Sequence, residues 1–415
     1  MNTYPQALEL ILRRLQPAPG ERRDPADSLG AGTAAAVASR LDVPDFDNAA
    51  MDGIAARAAD IAAATEDAPV SLKVTGMVPA GHKTDSRVAP GQAMEIMTGA
   101  PMPPGADTVI PVERLDWNRD ADGKPIARVR LAAEAGRNVR RAGEDFRRDD
   151  PLLAVGADLG PEAIMNLAAA GVDEVLVIPP PAVAVLTTGN ELTAAGAPTG
   201  TGQIRDSNGP YLAAGLASMG GKLETRQSAG DTPEALAAAI SEAAQDAQIV
   251  VTTGGVSAGK FDCVPAAVTA VGGEIIFHKV AIRPGKPILF AALPNGRWLF
   301  GLPGNPVAVA VGLRFFVAPA LRALRGMAPE RPVHAVSTGE IRKRAGLRFF
   351  GKAVATASAT GQLEVELLPG QESFRVRPLL SANCWAIVRE DQETVAPGDV
   401  IEIAPLHPTR FLQAG

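Results

Sequence analysis

The stretch QIVVTTGGVSAGKFD, from Gln248 to Asp262, decides how the rest of the chain is interpreted. It begins with an apolar run, Ile249 to Val251, that favours a buried strand, and it continues into a turn rich in glycine. A segment compatible with a helix, which contains Pro265, follows. Glycine lets backbone N–H groups approach a ligand, and the following helix directs its positive end toward the turn. The stretch therefore predicts a strand, a loop and the start of a helix that together bind an anion, and phosphate is the anion we expect.

Two other interpretations of this stretch stay open. Gly254, Gly259 and Lys260 have the spacing of a Walker A loop, G-x-x-x-x-G-K, which would indicate a nucleotide-phosphate enzyme. However, the next residue is Phe261, where that motif needs a Ser or Thr hydroxyl to hold magnesium. The stretch could also be an ordinary turn between a strand and a helix, with Asp262 acting only as the helix cap.

Length and composition predict a globular protein. The 415 residues suffice for about three domains, and 46% of them are hydrophobic. The chain has no run of about 18 uninterrupted apolar residues, and the amino terminus carries charges where a signal peptide has an apolar centre, so we expect a cytoplasmic protein outside the membrane. Cys263 and Cys384 are too few for a disulfide framework or a cysteine metal cluster. A net charge of −6 argues against general nucleic-acid binding.

The first 178 residues predict two interleaved domains. Apolar residues in 3–16 recur at helical spacing, and the Ala-rich stretch 26–39 shows a weaker form of that pattern, so both are expected to be helical. The pattern then changes to short β-prone runs separated by Gly and Pro, after which a helix and a strand are expected again. The sequence thus predicts a helical linker domain, residues 1–54 and 141–178, split by an inserted β domain, residues 55–140.

Two loops of this part carry acids. DNAAMDG, from Asp47 to Gly53, places two acids and an Asn between regular segments, and loops carry sites more often than regular elements do. GED, from Gly143 to Asp145, is surrounded by five arginines between positions 137 and 148. Such a basic cluster is either a solvated face or a site that binds phosphates together with a metal.

Strand-like and helix-like segments alternate beyond the linker PPPAV, which predicts a doubly wound, mainly parallel α/β domain over residues 179–326. Ligands of such sheets lie beyond the carboxyl ends of the strands. Three loops should therefore converge, namely TTGNEL at 187–192, the focal loop, and GLPGNP at 301–306. The segment GQIRDSN at 202–208 adds an acid beside them.

The run HKVAIRPGKP contributes Lys279, Arg283 and Lys286. It is β-prone, and a spacing of four would place Lys279 and Arg283 on the same face of one strand. These cations would either contact the ligand or be exposed charges at a strand edge. Residues 327–415 return to a β pattern, which predicts a small barrel or sandwich without a catalytic set.

Eight segments in one order resemble the molybdopterin molybdenumtransferase family, which includes MoeA and the E domain of gephyrin. They are FDNAAMDG, EIMTGAPMPPGADTVI, RRAGED, TTGNEL, IRDSN, TTGGVSAGKFD, AIRPGKP and GLPGNP. The resemblance implies a homodimer with its site between subunits, a split helical linker domain, an inserted β domain, a molybdopterin-binding α/β domain and a carboxyl-terminal β barrel. It also implies a molybdenum-cofactor adenylyltransferase or nucleotidyltransferase as a candidate partner.

The activity that the resemblance implies is insertion of molybdenum. In that family molybdopterin adenylate is hydrolysed in the presence of molybdate and Mg²⁺, AMP is released, and molybdenum stays on the dithiolene. This chemistry needs carboxylates for Mg²⁺, donors for the phosphates and a small basic pocket for molybdate. The alternative is a paralogue that binds or carries the cofactor without inserting metal.

Matching motifs assign roles to individual residues. The implied catalytic acids are Asp52, Asp145 and Asp262, and the implied Mg²⁺ ligands are Asp52, Glu191 and Asp262. The substrate-binding set is Thr188, Gly189, Glu191, Asp206, Ser207, Gly254, Gly255, Ser257, Lys279, Arg283, Lys286, Pro303 and Pro306.

Some positions depart from the family pattern. Gln248 stands where a family member has Asp, which removes one acid, and Asn190 replaces the Asp of TGDE. Ile54 replaces the Tyr of MDGYA, and Arg283 replaces a Lys while keeping its charge. The run SFRVRPLLSANCWAIV follows the family only loosely. Gln248 and this run favour the carrier alternative.

Overall fold

The computed structural model describes residues 1–256 and 263–406. The chain begins with α1 (Tyr4–Leu12), β1 (Glu21–Arg23), β2 (Gly32–Thr33), β3 (Val37–Ala38), β4 (Asn48–Ala49), β5 (Gly53–Ala56) and α2 (Ala58–Ile61). The predicted first helix is confirmed, and Thr3 starts it with a capping box that includes Gln6. Its buried face carries Ala7 and Ile11.

The predicted helix at 26–39 is wrong. Only a single 3-10 turn, Pro25–Asp27, forms there, capped by Asp24, and β2 and β3 follow. Gly30, with a φ of 75°, turns the chain away from a helical path. Both strands pair with segments more than 100 residues later, so tertiary pairing outweighs the weak helical preference of the alanines.

The next region is rich in strands, as predicted. It contains β6 (Val70–Val78), β7 (Gln92–Ile96), β8 (Thr108–Pro111), β9 (Leu115–Arg119), β10 (Pro125–Val129), β11 (Val139–Arg140), β12 (Pro151–Leu153), α3 (Pro161–Ala169) and β13 (Val175–Ile178). Strands β5 to β10 form one six-stranded sheet in the order β8-β5-β7-β6-β10-β9.

The segments on either side of this sheet join each other. Strand β13 lies between β1 and β2, β11 pairs with β4, and β12 pairs with β3, all antiparallel. The predicted insertion of a β domain into a split first unit is therefore confirmed. The unit is less helical than predicted, because residues 21–49 form short strands and a single 3-10 turn instead of a second helix.

The α/β region comprises β14 (Ala182–Thr188), β15 (Leu192–Thr193), β16 (Ile204–Arg205), α4 (Asn208–Ser218), β17 (Lys222–Ala229), α5 (Pro233–Asp246), β18 (Ile249–Thr253), α6 (Val264–Ala270), β19 (Glu274–His278), β20 (Ile282–Arg283), β21 (Leu289–Leu293), β22 (Arg297–Leu302), α7 (Pro306–Gly312) and α8 (Ala318–Leu324). Its main sheet has the order β17-β14-β18-β22-β21-β19. The first four strands are parallel, and β21 runs antiparallel to both of its neighbours, β22 and β19.

Both faces of this sheet are buried. One face packs against α4, α7 and α8, and the other packs against α5 and α6. Parallel strands covered on both sides need continuous apolar sequence, which explains why β14 and β18 lack alternation. The predicted doubly wound, mainly parallel architecture is confirmed.

The carboxyl-terminal region contains β23 (Val333–Ser337), β24 (Ile341–Arg342), β25 (Arg348–Ala357), β26 (Leu363–Leu367), β27 (Cys384–Val388), β28 (Thr394–Val395) and β29 (Val400–Pro405). The order β25-β26-β23-β29-β27 closes on itself, because β27 also pairs with β25. This five-stranded closed sheet confirms the predicted barrel.

The helical run Pro306–Leu324 has the length and composition of a membrane span, with a mean hydropathy of 1.8. However, 83% of its apolar window is buried inside the protein. Arg314 within it donates to the carbonyl of Pro405 at 2.8 Å and pairs with Glu330 at 2.5 Å. These contacts are those of a core helix that joins the α/β region to the barrel.

Arg325 ties three parts of the chain together. Its side chain is buried and donates to the carbonyl of Gly30 at 2.8 Å and to those of Met219 and Leu321 at 3.4 Å each. Burial lowers the pKa of this guanidinium. We expect Arg325→Met to lower the free energy of unfolding by about 2–4 kcal/mol, because it keeps the apolar stem but leaves buried carbonyls without donors. Urea denaturation measures the change.

The matched control is Arg331→Met, because Arg331 is exposed and its side chain has no hydrogen-bond or ion-pair partner among the described residues. This control should stay within about 0.5 kcal/mol of the wild type. An equal, small effect of both substitutions would show that Arg325 does not stabilise the junction.

Candidate active site

Three loops meet at the carboxyl ends of β14, β18 and β22, because these parallel strands are neighbours. The hydroxyl of Thr188 donates to the carbonyl of Thr253 at 3.3 Å. The hydroxyl of Thr253 in turn donates to the carbonyl of Pro303 at 3.1 Å. The backbone N–H of Gly254 donates to the carbonyl of Leu302 at 3.0 Å. The structure thus brings together the three loops that the sequence singled out.

Gly254 allows this close approach. Its φ is 95°, in the region that favours glycine. A Cβ atom at this position would lie 2.6 Å from the hydroxyl oxygen of Thr188 and 2.7 Å from its carbonyl oxygen. The focal loop can therefore rest directly on the TTGNEL loop only with glycine here.

The first part of the site is a cleft of about 510 Å³, the carboxylate cleft, defined by Glu191, Asp206 and Asp231. The predicted residues that line it are Thr188, Gly189, Glu191, Asp206, Ser207, Gly254, Gly255 and Pro306. Asp206 accepts a hydrogen bond from the N–H of Gly209 at 2.9 Å, and Asp231 accepts one from the N–H of Asn190 at 2.7 Å. The acids therefore also fix the loops that carry them.

The second part is a cleft of about 560 Å³, the cationic cleft, defined by Arg283 and Lys286. Pro303 and Gly255 line it as well. Both clefts are bordered by Gly255, Gly304, Asn305 and Phe374, so they adjoin and form one continuous site. In the described part of the chain the side chains of Arg283 and Lys286 have no hydrogen-bond or ion-pair partner, and both residues are exposed.

The predicted common strand for Lys279 and Arg283 is wrong. Strand β19 ends at His278, and Lys279 adopts a φ of 76°, which reverses the chain. Arg283 belongs to β20, which pairs with β25 of the barrel rather than with the main sheet. Lys279 lines neither cleft, although its N–H donates to the carbonyl of Ile288 at 2.9 Å, close in the chain to Lys286.

Asp52 lies in the turn between β4 and β5 and is exposed. Its Oδ1 accepts hydrogen bonds from the hydroxyl of Thr98 at 2.7 Å and from the backbone N–H of Thr98 at 2.6 Å. Both contacts lower the pKa of Asp52, and the contact with the hydroxyl has the larger effect. The carboxylate is therefore ionised at neutral pH and held in one orientation.

Asp145 is exposed in the turn after β11, where its N–H donates to the carbonyl of Val43 at 2.9 Å. Within one chain, neither Asp52 nor Asp145 lines the carboxylate cleft or the cationic cleft. The structure thus places these two predicted acids in the first unit, outside both clefts.

Asp47 binds Arg141, one of the five arginines around GED. Its carboxylate accepts hydrogen bonds from the N–H of Ala142 at 2.9 Å and from the guanidinium of Arg141 at 2.5 Å. Both contacts lower the pKa of Asp47, and the contact with Ala142 has the larger effect. Arg141 therefore joins the DNAAMDG loop to the segment that carries Asp145.

The predicted set of site residues omits Asn208 and Phe374, which both line the carboxylate cleft, although the segment that ends at Asn208 was expected beside the site. Asn208 donates from Nδ2 to the hydroxyl oxygen of Thr253 at 3.0 Å and to the carbonyl of Gly304 at 2.8 Å, so it connects two loops. Its place at the start of α4, after the IRDS segment, was the available signal. Phe374 lies in the barrel, far along the chain from the α/β motifs, so no motif indicated that it lines the site.

The tip of the focal loop, including Ser257, Gly259, Lys260, Phe261 and Asp262, lies outside the described residues. The predictions for Ser257 and Asp262, and the Walker A alternative through Lys260, therefore stay predictions.

Gln248 lies at the other end of the strand from the site. Its N–H donates to the carbonyl of Ala182 at 2.9 Å, and its carbonyl accepts from Trp298 at 3.1 Å, at the amino ends of β14 and β22. The five residues of β18 separate it from the loops by about 17 Å. The idea that Gln248 removes an acid from the site is therefore wrong for the clefts described here.

The fold and the site define a multidomain protein with a mainly parallel α/β domain, a closed barrel and a ligand cleft where the two meet. Residues 2–171 match the family description "MoeA N-terminal region (domain I and II)", residues 184–323 match "Probable molybdopterin binding domain", and residues 334–406 match "MoeA C-terminal region (domain IV)". The chain belongs to the molybdopterin molybdenumtransferase family, which confirms the resemblance drawn from its motifs.

Similar proteins match over nearly their whole length. The molybdopterin molybdenumtransferase of Synechococcus elongatus is 38% identical, over 97% of this chain and 99% of that protein. Molybdopterin molybdenumtransferase 2 of Mycobacterium tuberculosis is 36% identical, over 88% and 90%. A crystal structure of a molybdopterin biosynthesis MoeA protein from Pyrococcus horikoshii is 30% identical, with a TM-score of 0.74 over 97% of this chain and 98% of that chain.

Proposed function

We propose that this protein inserts molybdenum into molybdopterin. It takes molybdopterin adenylate and molybdate, hydrolyses the adenylate with Mg²⁺, and releases AMP. Family membership supports the transferase class. The single observation that carries the proposal is the continuous site, in which a cleft with three carboxylates adjoins a cleft with two unpaired cations.

The cationic cleft suits a small dianion such as molybdate. Arg283 offers a planar fork of donors and Lys286 offers a compact ammonium, and neither has another partner in the described chain. The backbone of Gly255 and Gly304 borders the same space, so donors can approach an oxyanion from several directions.

We expect Arg283→Ala to weaken molybdate binding about 10- to 100-fold, because one charged donor is lost. Arg283→Lys should retain most of the affinity, since the charge stays. Isothermal titration with molybdate measures both. Arg344→Ala is the control, because Arg344 is exposed and lines neither cleft. Equal affinities of Arg283→Ala and the wild type would place the oxyanion elsewhere.

The carboxylate cleft suits a phosphate with its Mg²⁺. The Thr188 hydroxyl and the glycine-rich backbone supply neutral groups near the phosphates. The carboxylate of Glu191 lies over Gly189. A Cβ atom on Gly189 would be only 2.7 Å from Oε1 of Glu191. Among the described residues no group of three potential metal ligands comes together. Mg²⁺ commonly uses one or two carboxylates plus phosphate oxygens, so Glu191 with Asp206 or Asp231 fits an ion that arrives with the substrate.

When bound, Mg²⁺ would offset negative charge on the phosphate oxygens. The protein residues orient the substrate around it. The Asn208 amide holds the loops of β18 and β22 together, and the Asp231 carboxylate holds the TGNEL loop. These contacts preserve the shape of the cleft before substrate arrives.

A homodimer would complete this site. In one chain Asp52 and Asp145 face solvent away from both clefts, although the motif match assigns both to the reaction. A second copy whose first unit faces the clefts would supply these acids.

The test is AMP release from molybdopterin adenylate by the purified protein, with Mg²⁺, with and without molybdate. We expect release that depends on molybdate. Tight binding of molybdopterin without AMP release would instead support the carrier alternative. ATP hydrolysis without any pterin, lost in Lys260→Ala, would support the nucleotide-phosphate enzyme.

A further inference from the structure

We propose that Phe374 stacks on the planar ring system of the substrate and that the buried Lys352 positions it. Phe374 belongs to the barrel loop, residues 368–375, which follows β26. The proposal rests on the proposed function, because it assigns the pterin ring of that substrate to one surface. It gives the barrel a part in ligand recognition that its sequence did not indicate.

Lys352 is the internal support of the barrel loop. It lies in β25 with 0% of its surface exposed. Its ammonium donates to three carbonyls of the loop, those of Gly370 at 2.7 Å, Arg375 at 3.1 Å and Glu372 at 3.2 Å. Three acceptors satisfy all three N–H donors of a lysine, so the loop is folded around one buried charge.

The loop is also fixed at two further points. The side chain of Gln371 accepts from the N–H of Lys352 at 3.0 Å and donates to its carbonyl at 2.8 Å and to that of Leu368 at 2.7 Å. The carbonyl of Ser373 accepts from the N–H of Val307 at 3.1 Å, in the first turn of α7. The barrel loop is therefore anchored beside the GLPGNP loop of the α/β region.

Phe374 is presented on this rigid loop. Its side chain is 64% exposed, and it borders both the carboxylate cleft and the cationic cleft. The Arg375 guanidinium lies 5.7 Å from the ring centroid, and Glu372 holds Arg375 through a contact of 3.0 Å. The loop therefore holds the ring beside both clefts, where its exposed face is available to a flat ligand.

The position of Phe374 selects the part of the substrate that it contacts. It stands where the two clefts adjoin, whereas Glu191 lines only the carboxylate cleft and Arg283 lines only the cationic cleft. Molybdopterin carries its phosphate group and its dithiolene on one fused ring system, so a phosphate in the first cleft and molybdate in the second would bring that ring system next to Phe374. Aromatic side chains stack on heterocycles of this kind with a gain of about 1–3 kcal/mol per ring.

The experiment titrates the full-length protein with neopterin monophosphate, a fluorescent pterin phosphate, and records affinity and fluorescence quenching. We expect Phe374→Leu to weaken binding roughly tenfold and to abolish the quenching that ring contact produces. Phe374→Trp should keep both. Trp117→Leu is the control, because Trp117 is 41% exposed on β9 and lines neither cleft.

Lys352→Met tests the positioning role, since it removes the charge while Phe374 stays. It should also lose quenching, with Gln371→Leu as a second variant in case Lys352→Met does not fold. Wild-type quenching in both folded variants would overturn the role of Lys352. Wild-type affinity and quenching in Phe374→Leu would overturn the stacking and leave the proposed function standing. Failure of the wild type to bind the probe would overturn the inference, whereas the proposed function is judged separately by AMP release.

Discussion

Asp52→Asn is expected to lower molybdate-dependent AMP release about 100-fold or more while the protein still binds molybdate. The substitution keeps the shape of the side chain and an oxygen that accepts from Thr98, but it removes the negative charge. The two hydrogen bonds from Thr98 lower the pKa of Asp52, so the charge is present throughout the neutral range. The assay is single-turnover AMP release with Mg²⁺ and molybdate.

Two matched variants show whether this loss of activity is specific to the charge of Asp52. Thr98→Val removes the hydroxyl donor but leaves the backbone N–H at 2.6 Å, so it should reduce release only several-fold. Asp120→Asn alters another carboxylate that accepts backbone N–H groups, at 2.8 and 3.0 Å, in the turn between β9 and β10, and it should be silent. Full activity of Asp52→Asn would remove this acid from the reaction.

Mixing Asp52→Asn with Glu191→Gln is expected to restore AMP release that neither inactive variant has alone. If the site joins Asp52 of one subunit to the carboxylate cleft of its partner, each mixed dimer contains one intact site. Random exchange of subunits then restores roughly a quarter of wild-type activity, since half of the dimers are mixed and one of their two sites is intact. The variants are mixed, their subunits are allowed to exchange, and AMP release is then measured per dimer.

The control mixture is Asp52→Asn with Asp145→Asn. Both acids lie in the first unit of one chain, so every site of this mixed dimer lacks one of them and no activity should return. Absence of recovery in the first mixture, with both variants shown to exchange subunits, would place all of the residues in a single chain. Recovery in both mixtures would mean that Asp52 and Asp145 act in different sites.

The local predictions that succeeded depend on strong, short-range signals. The apolar runs of β14 and β18 are long enough to require burial on both faces, and the glycines after β18 mark a loop of close backbone contacts. The prediction for 26–39 failed because an alanine-rich pattern is weak. Pairing with strands beyond the inserted domain outweighs it.

The prediction for Lys279 and Arg283 failed for a related reason. Spacing along a strand is informative only while the strand continues, and the chain leaves β19 at His278. The left-handed conformation of Lys279 depends on its surroundings, where its N–H donates to the carbonyl of Ile288 at 2.9 Å. No residue type near this position announces such a reversal.

By itself the sequence determined the order of the folding units, the loops at the ends of β14, β18 and β22, and the family. These features follow from residues close together in the chain, where periodicity, glycine and motif order are sufficient. Only the tertiary structure decided that Phe374 of the barrel borders the α/β clefts, that Gln248 lies far from them, and that Asp52 lines neither cleft in a single chain. Those facts depend on contacts between segments distant in the chain, such as the bonds from Lys352 that fold the barrel loop and the pairing of Gln248 with Ala182 and Trp298, and no local pattern specifies such contacts.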